Sequence, residues 1–463
     1  MNTQEFKGND KLLLGIVFGV LTFWLFAQSL INVVVAIRES VDIPMESLNM
    51  AISLTALFSG CFIVVAGGLA DKFGRMRFTY IGFILSIIGS LCLIFATGTI
   101  LFTLGRVIQG LSAACIMPAT LALIKTYYDG AARQRALSFW SIGSWGGSGV
   151  CSLAGGAIAT YLGWHWIFII SIIFAIAGMF LIRGTPESKV EAHEQAGSFD
   201  YLGLFAFLIT LLSLNVLITK GAKLGWTSNL SVGLLGVVVV MGIVFIAIER
   251  RKKDRAFIDF ALFEKASYSG ATISNFLLNA VAGTLIVANT YIQMGRGFSS
   301  FQSGMMSIGY LIAVLLMIRV GEKILQKIGA KKPMLLGTGI TGVGIFLMTF
   351  TFLDDFSYII VVLIGFVLFG LGLGIYATPS TDTAISDAPD DKVGIASGIY
   401  KMASSLGGAF GVAISATVYS SLNSTGVDNA AFVALMINVV FCVLAILSII
   451  FLVPKNAGIR VGK

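Results

Sequence analysis

The sequence predicts an all-α polytopic membrane protein with fourteen crossings, and three observations carry that prediction. First, the 463 residues are 57% hydrophobic and only 12% charged, with a mean hydropathy of +0.93. A water-soluble fold cannot hide that much apolar surface, so the bilayer is the solvent for most of the chain. Inside hydrocarbon every backbone polar group needs an internal partner, and helices provide one. Second, apolar runs long enough to span a bilayer recur between short polar loops. Third, the cations are sorted. With fourteen crossings, 24 Lys and Arg fall on the side of both termini, four on the other (Arg38, Lys220, Lys223, Arg296) and three inside helices (Arg106, Arg319, Lys401). One miscounted crossing would scramble that split, so both ends are expected in the cytoplasm of a plasma-membrane protein. The net charge of +8 thus serves topology, and no nucleic-acid partner is expected.

In chain order, residues 12–37 form the first run, too long for a signal-peptide core and without a small-residue cleavage site. Gln28, Ser29 and Asn32 lie in its middle, where polar groups hold helices together or line a cavity. Runs 48–70, 78–96 and 99–124 follow. The last buries Arg106 near its centre, where a charge must face a partner or water. Run 137–162 carries Gly143, Gly146, Gly147, Gly149, Gly155 and Gly156, a density that lets a neighbour pack backbone to backbone. Simple tight packing and a flexible seam both fit. Trp164 and Trp166 read as interfacial aromatics before the sixth run, 167–182.

Residues 184–200, with Pro186, Glu187, Glu191 and Glu194, have linker character. Runs 201–219 and 230–249 precede the basic block 250–255, which holds its loop inside. The second half comprises 268–289, 303–320, 334–353, 358–379, 395–420 and 430–453. Three parts result: a six-helix bundle (1–183), a linker with two additional helices (184–266) and a second six-helix bundle (267–463).

The turn between the second and third runs reads GGLADKFGRMR, residues 67–77. Gly67 and Gly68 permit close backbone approach, and Gly74 supplies a bend that a side chain would resist. Asp71 stands where it can accept hydrogen bonds from the start of a neighbouring helix. Lys72, Arg75 and Arg77 give the turn an inside bias. LADKFG (69–74) is echoed by ILQKIG (324–329), with Gln326 standing where Asp71 stands in the first copy. With the added pair set aside, both turns join the second and third helices of a six-helix half. Two related bundles around a midplane cavity are therefore expected.

These motifs identify a resemblance. GGLADKFGRMR resembles the loop signature of the major facilitator superfamily, and GRVIQG (105–110) is similar to its fourth-helix RxxQG motif. The glycine-rich fifth run is similar to its antiporter motif, and the six-two-six layout resembles its fourteen-helix drug:proton antiporter branch. The resemblance implies a gate in which Asp71 and Arg75, set by Gly67 and Gly74, lock the cytoplasmic side. It implies that Arg106 is linked to proton movement and that Gly143, Gly147, Gly155 and Gly156 form a helix seam. Two departures stand out: the Gly-Pro step of the fifth helix is replaced by Cys151-Ser152, and the acid common in the first helix falls at Ala27.

A proton-driven exporter needs a carboxyl whose protonation changes with access. Asp382, three residues after Pro379, leads the candidates, with Lys401 as its partner on the next helix. Alternatively Asp382 merely sits at a helix end near Asp387, Asp390 and Asp391; Asp71 is a further candidate, doubling as gate and sensor. Glu39, Asp42 and Glu46 read as an outer vestibule for cations. Gln28, Asn32, Asn275, Asn279, Asn289, Tyr310 and Tyr400 are the expected lining of the substrate cavity. Aromatics with few fixed charges suit planar amphipathic molecules, and the scarcity of deep acids favours zwitterionic or weakly charged ones.

Cys61, Cys92, Cys115, Cys151 and Cys442 read as small buried hydrophobes. With His165 and His193 they build no metal set, and neither metal nor cofactor is expected. The absence of a nucleophile–base pair and of a Walker-type loop argues against an enzyme and against ATP as the energy source. Together with the resemblance, this implies a monomeric, proton-coupled exporter of amphipathic drugs, with quinolones named by the resemblance alone. Exporters of one metabolite or siderophore-like compound, and a receptor that has lost transport, are the alternatives.

Overall fold

Backbone amides that cannot reach water bond within their own helix. In the computed structural model, which describes residues 6–26, 29, 37–38, 40–41, 43–189, 200–252, 258 and 260–458, every regular element is accordingly a helix. The chain divides into two units, residues 1–200 with 388–402, and residues 201–387 with 403–463.

The first unit contains α1 (Asp10–Leu21), α2 (Met45–Phe73), α3 (Arg75–Ile94), α4 (Thr99–Tyr127), α5 (Gly130–Ser141), α6 (Gly147–Tyr161) and α7 (His165–Ile182). A π-helical turn, Thr22–Phe26, extends α1, and a second, Ile142–Gly146, joins α5 to α6. Helices α2 and α3 both pack on α4, while α1 and α3 pack on α7. Small residues set these crossings. A side chain at Gly89 or at Gly105 would meet the other glycine's carbonyl oxygen at 3.0 Å. An apolar cluster of Ile37, Leu48, Leu93, Phe102, Trp164 and Phe168 closes one end of the unit.

The second unit contains α8 (Tyr201–Leu224), α9 (Asn229–Lys252), α10 (Ala266–Ala280), α11 (Gly283–Thr290), α12 (Ser300–Ile328), α13 (Lys331–Met348), α14 (Asp355–Ser386), most of α15 (Val393–Leu422) and α16 (Val427–Leu452). The first ten residues of α15 belong to the first unit. Packing repeats the pattern of the first unit: α12 and α13 lie on α14, and α10 and α13 lie on α16. Gly344 and Gly365 make the equivalent reciprocal crossing, at 2.7 and 2.8 Å. Pro118 and Pro379 sit inside the corresponding helices α4 and α14.

The echoed turns match in detail. Gly74 adopts φ +126° and the next residue's amide, Arg75 N–H, donates to Ser188 O at 2.9 Å. Gly329 adopts φ +80° and Ala330 N–H donates to Ala457 O at 2.7 Å. The first turn is thus tied to the segment that follows α7, and the second is tied to the segment that follows α16.

Among the described residues, eleven helices are long and apolar enough to cross a bilayer. The other three expected runs differ for separate reasons. The first continues into residues outside the described set, the fifth is broken by the turn Ile142–Gly146, and α13 opens on Lys331 and Lys332. α8 and α9 pair with each other. α9 is apolar yet exposes most of its surface, as a helix facing lipid does.

Candidate functional site

The turn at residues 67–77 builds the best-defined polar site of the first unit. Asp71 lies in the last turn of α2, Gly74 breaks the helix, and Arg75 opens α3. Both charged residues are 4% exposed. The Asp71 carboxylate accepts Gly394 N–H at 2.7 and 3.0 Å and Ile395 N–H at 3.2 Å, so it caps the N-terminus of α15. The unpaired amides of a helix start carry partial positive charge, and a carboxylate is their natural complement. Arg75 flanks the same carboxylate, with Nε and Nη2 at 2.9 and 2.8 Å from Oδ1.

Arg75 also ties in three further segments. Nη1 donates to Thr126 Oγ1 at 2.8 Å and Ser188 Oγ at 3.3 Å, and Nη2 donates to Asp390 O at 2.7 Å. Only a planar fork of five donors serves so many acceptors at once. Lys125 Nζ lies 3.1 Å from Asp390 Oδ1 and donates to Ala388 O, fixing the same segment again. Glu187 accepts Met76 N–H at 2.9 Å and Arg77 N–H at 3.0 Å, capping α3.

Close backbone contact makes this possible. A side chain at Gly394 would stand 2.8 Å from Asp71 Cγ, and one at Gly398 would stand 2.8 Å from Val64 Cα. Gly67 faces the Gly394 carbonyl in turn. The glycines four residues apart on α15 therefore form a small-residue crossing with α2. Gly74 has φ +126°, and an added side chain there would meet the Glu187 carboxyl at 2.5 Å.

The other buried charges lie apart from this site. Arg106 is fully buried in α4, donates from Nη1 to Gln109 Oε1 at 2.7 Å, and accepts Thr55 Oγ1 at its own carbonyl at 2.8 Å. Asp382, 1% exposed in α14, accepts Ser386 Oγ at 3.1 Å. Lys401, on the portion of α15 in the first unit, donates to Ser144 Oγ at 2.9 Å and faces the rings of Trp24 and Trp140. Added side chains at Gly143, Gly147 and Gly155 would strike Val20, Trp24 and Ser29, at 2.6 to 2.8 Å. Gly156 meets nothing within 4 Å. Three of the four seam glycines thus bear on the first run.

In the second unit Asn275 Nδ2 donates to Ser404 Oγ at 2.7 Å, and Asn279 Nδ2 donates to Asn275 O and Oδ1 at 2.8 and 3.0 Å. Asn289 Oδ1 accepts Ser303 Oγ at 2.6 Å. The ring of Tyr310 lies 5.2 Å from that of Phe369, and Tyr400, in the first unit, is buried. Gln28 and Asn32 lie outside the described residues, as do Glu39 and Asp42. A cavity of about 510 Å³ in the second unit is lined by Leu214, Ile218, Trp226, Phe276, Leu406 and Phe410 among others, and by none of the expected polar residues.

Two polar clusters escaped the sequence reading. Glu322, buried in α12, pairs with Arg319 and accepts Gln326 Nε2 at 3.0 Å. The spacing of three and four residues was the available signal. Arg296 donates to Tyr291 OH at 2.8 Å, Asp355 Oδ1 at 2.7 Å and the carbonyls of Thr351 and Leu353 at 2.6 and 2.8 Å. Burial opposes its charge, but the bonds to Asp355 and Tyr291 prevail and hold its pKa above the ordinary value. Nothing local in the sequence announces those partners.

A sequence profile described as Major Facilitator Superfamily matches residues 16–412 and 269–460. The chain is 58% identical over 454 residues to the quinolone resistance protein NorB of Staphylococcus aureus strain MRSA252, covering 98% of each chain. The NorB protein of strain COL matches to the same extent. Among solved structures, the proton:xylose symporter XylE bound to 6-bromo-6-deoxy-D-glucose matches with a TM-score of 0.68 at 17% identity, over 97% of this chain and 96% of that one. The human organic anion transporter MFSD10 (TETRAN) matches with 0.63 at 13% identity, over 95% and 98%. At those identities the likeness speaks to the fold alone.

Proposed function

Because the chain belongs to the Major Facilitator Superfamily, we propose that it exports amphipathic drugs, quinolones among them, by proton-coupled alternating access. It does so as a monomer in the plasma membrane, with fourteen crossings and both termini in the cytoplasm. Residues 1–183 and 267–463 act as the two six-helix halves, and 184–266 supplies the linker and the added helix pair.

The observation that carries this reading is the buried Asp71–Arg75 pair capping the start of α15. It is a charged lock with a removable charge. Protonating Asp71, or pulling α15 away, leaves Arg75 and the helix amides without their anion, so the lock favours one state of access. With the turn on the cytoplasmic side, the locked state is closed to the cytoplasm. Arg106, Asp382 and Lys401 are the buried charges through which the gradient acts, since charges at membrane depth are expensive and by default mark a functional site. Gly143, Gly147, Gly155 and Gly156 give the seam on which the first and fifth runs move. Gln28, Asn32, Asn275, Asn279, Asn289, Tyr310 and Tyr400 contribute polar contacts to the cavity.

The test is flux in proteoliposomes. Purified protein with an imposed pH gradient should drive a fluorescent quinolone against its concentration gradient, and collapsing the pH gradient should stop it. Quinolone movement that ignores the pH gradient, or none at all, would refute the reading.

A further inference from the structure

Lys401 stands about 12 Å along α15 from Val393, eight residues at 1.5 Å each. Its side chain is 95% withdrawn from solvent. The ammonium donates to Ser144 Oγ at 2.9 Å and lies 5.6 Å from the Trp24 ring centroid and 5.1 Å from that of Trp140. Within the first unit, no described carboxylate comes within ion-pair distance of it. An ammonium carries three donors, and one hydroxyl engages one of them.

The neighbours of Lys401 are pinned on one side and lie in irregular backbone on the other. Trp140 is fixed by its Nε1–H bond to Thr120 Oγ1 at 3.0 Å. Trp24 and Ser144 both lie in π-helical turns, Thr22–Phe26 and Ile142–Gly146. Such turns re-aim side chains and recur at functional sites. A buried cation ordinarily faces an acid. Here two indole faces and a neutral hydroxyl stand in for one.

We propose that Lys401 anchors a carboxylate of the transported molecule, with Trp24 and Trp140 flanking its ring system. The substrate class is then planar aromatic carboxylates. This inference rests on the export reading given above and names the chemistry of its binding site. The Ser144 hydroxyl is a place-holder, since a carboxylate oxygen makes a charge-assisted bond about twice as strong as a neutral one. A purely cationic compound gains nothing at this position and is repelled by the ammonium.

Equilibrium binding of norfloxacin and of its carboxylate methyl ester to the purified full chain, by calorimetry at pH 7, tests the assignment. The wild type should prefer the acid by about tenfold or more, the range of a charge-assisted hydrogen bond. Lys401→Gln should erase that preference and leave the ester's affinity within about twofold, while Lys401→Arg keeps most of it. Should Lys401→Gln fail to fold, Lys401→Met, which keeps the buried stem, is expected to give the same loss. An acid-to-ester ratio unchanged in the variants, or both ligands weakened equally, overturns the proposal. Proton-driven flux of either ligand keeps the export reading alive in that case; its absence for both in the wild type would instead condemn that reading.

Discussion

Asp71→Asn isolates the charge of the lock with almost no change of shape. The carboxylate serves two opposed donors, the Arg75 guanidinium on one side and the amides of Gly394 and Ile395 on the other. Asparagine has one acceptor oxygen and one donor nitrogen. Turned toward α15, its oxygen keeps the helix cap but its NH₂ confronts Arg75; turned the other way, the NH₂ confronts the Gly394 amide. One set of bonds is lost in either rotamer. A hydrogen bond to a charged group contributes about 1.5–3 kcal/mol. Taking about 2 kcal/mol, the ratio of locked to unlocked molecules falls about 30-fold, at 1.4 kcal/mol per tenfold. Spin labels at Lys72 and Asp391, both exposed, read the separation of α2 from the start of α15. Pulsed dipolar spectroscopy in lipid should show a longer-distance population growing at the expense of the short one. Distance distributions identical in wild type and variant, both folded, would refute the lock.

Other perturbations probe the same contacts and one distant clip. Gly394→Ala or Gly398→Ala inserts a methyl 2.8 Å from Asp71 Cγ or Val64 Cα, and overpacking of about 1–3 kcal/mol should shift the labels as Asp71→Asn does. Arg75→Lys replaces a fork that reaches Asp71, Thr126, Ser188 and Asp390 with a single point, and should cut quinolone flux nearly as far as Arg75→Ala; full activity in the lysine variant would deny the fork its role. Arg296→Gln removes the clip on Asp355, Thr351 and Leu353 and should lower stability by about 2 kcal/mol. Its check is the unfolding temperature of the detergent-purified protein.

Much of this was legible in the residues because the relevant physics is local. A carboxylate, a helix-breaking glycine and an arginine within five positions dictate a tight charged turn, and the dipole of a helix start dictates what the carboxylate seeks. Which helix answers was not legible. Gly394 lies 323 residues from Asp71, and a glycine pair four apart in an apolar run looks like any other small-residue stretch. The π-helical turns escaped as well, since one extra residue per turn barely disturbs an apolar periodicity. The Arg319–Glu322 pair is legible in principle, since residues three apart on a helix are neighbours.

The two echoed turns are alike in backbone and unlike in charge. Both turns share the positive-φ glycine and a following amide tied to a later segment of the chain. Their polar chemistry diverges where Asp71 is matched by Gln326 and Arg75 by Ala330. Asp71 reaches out to cap another helix, whereas Gln326 turns back to Glu322 in its own. An amide does not titrate, so this position can respond to protons in the first unit alone. On the gating reading proposed above, protonation of Asp71 weakens the lock at the first turn and leaves the second turn unchanged. Gln326→Glu would give the second turn the carboxyl group that Asp71 supplies in the first. Quinolone flux in that variant should therefore acquire a second pH dependence, and an unaltered pH profile would contradict the asymmetry.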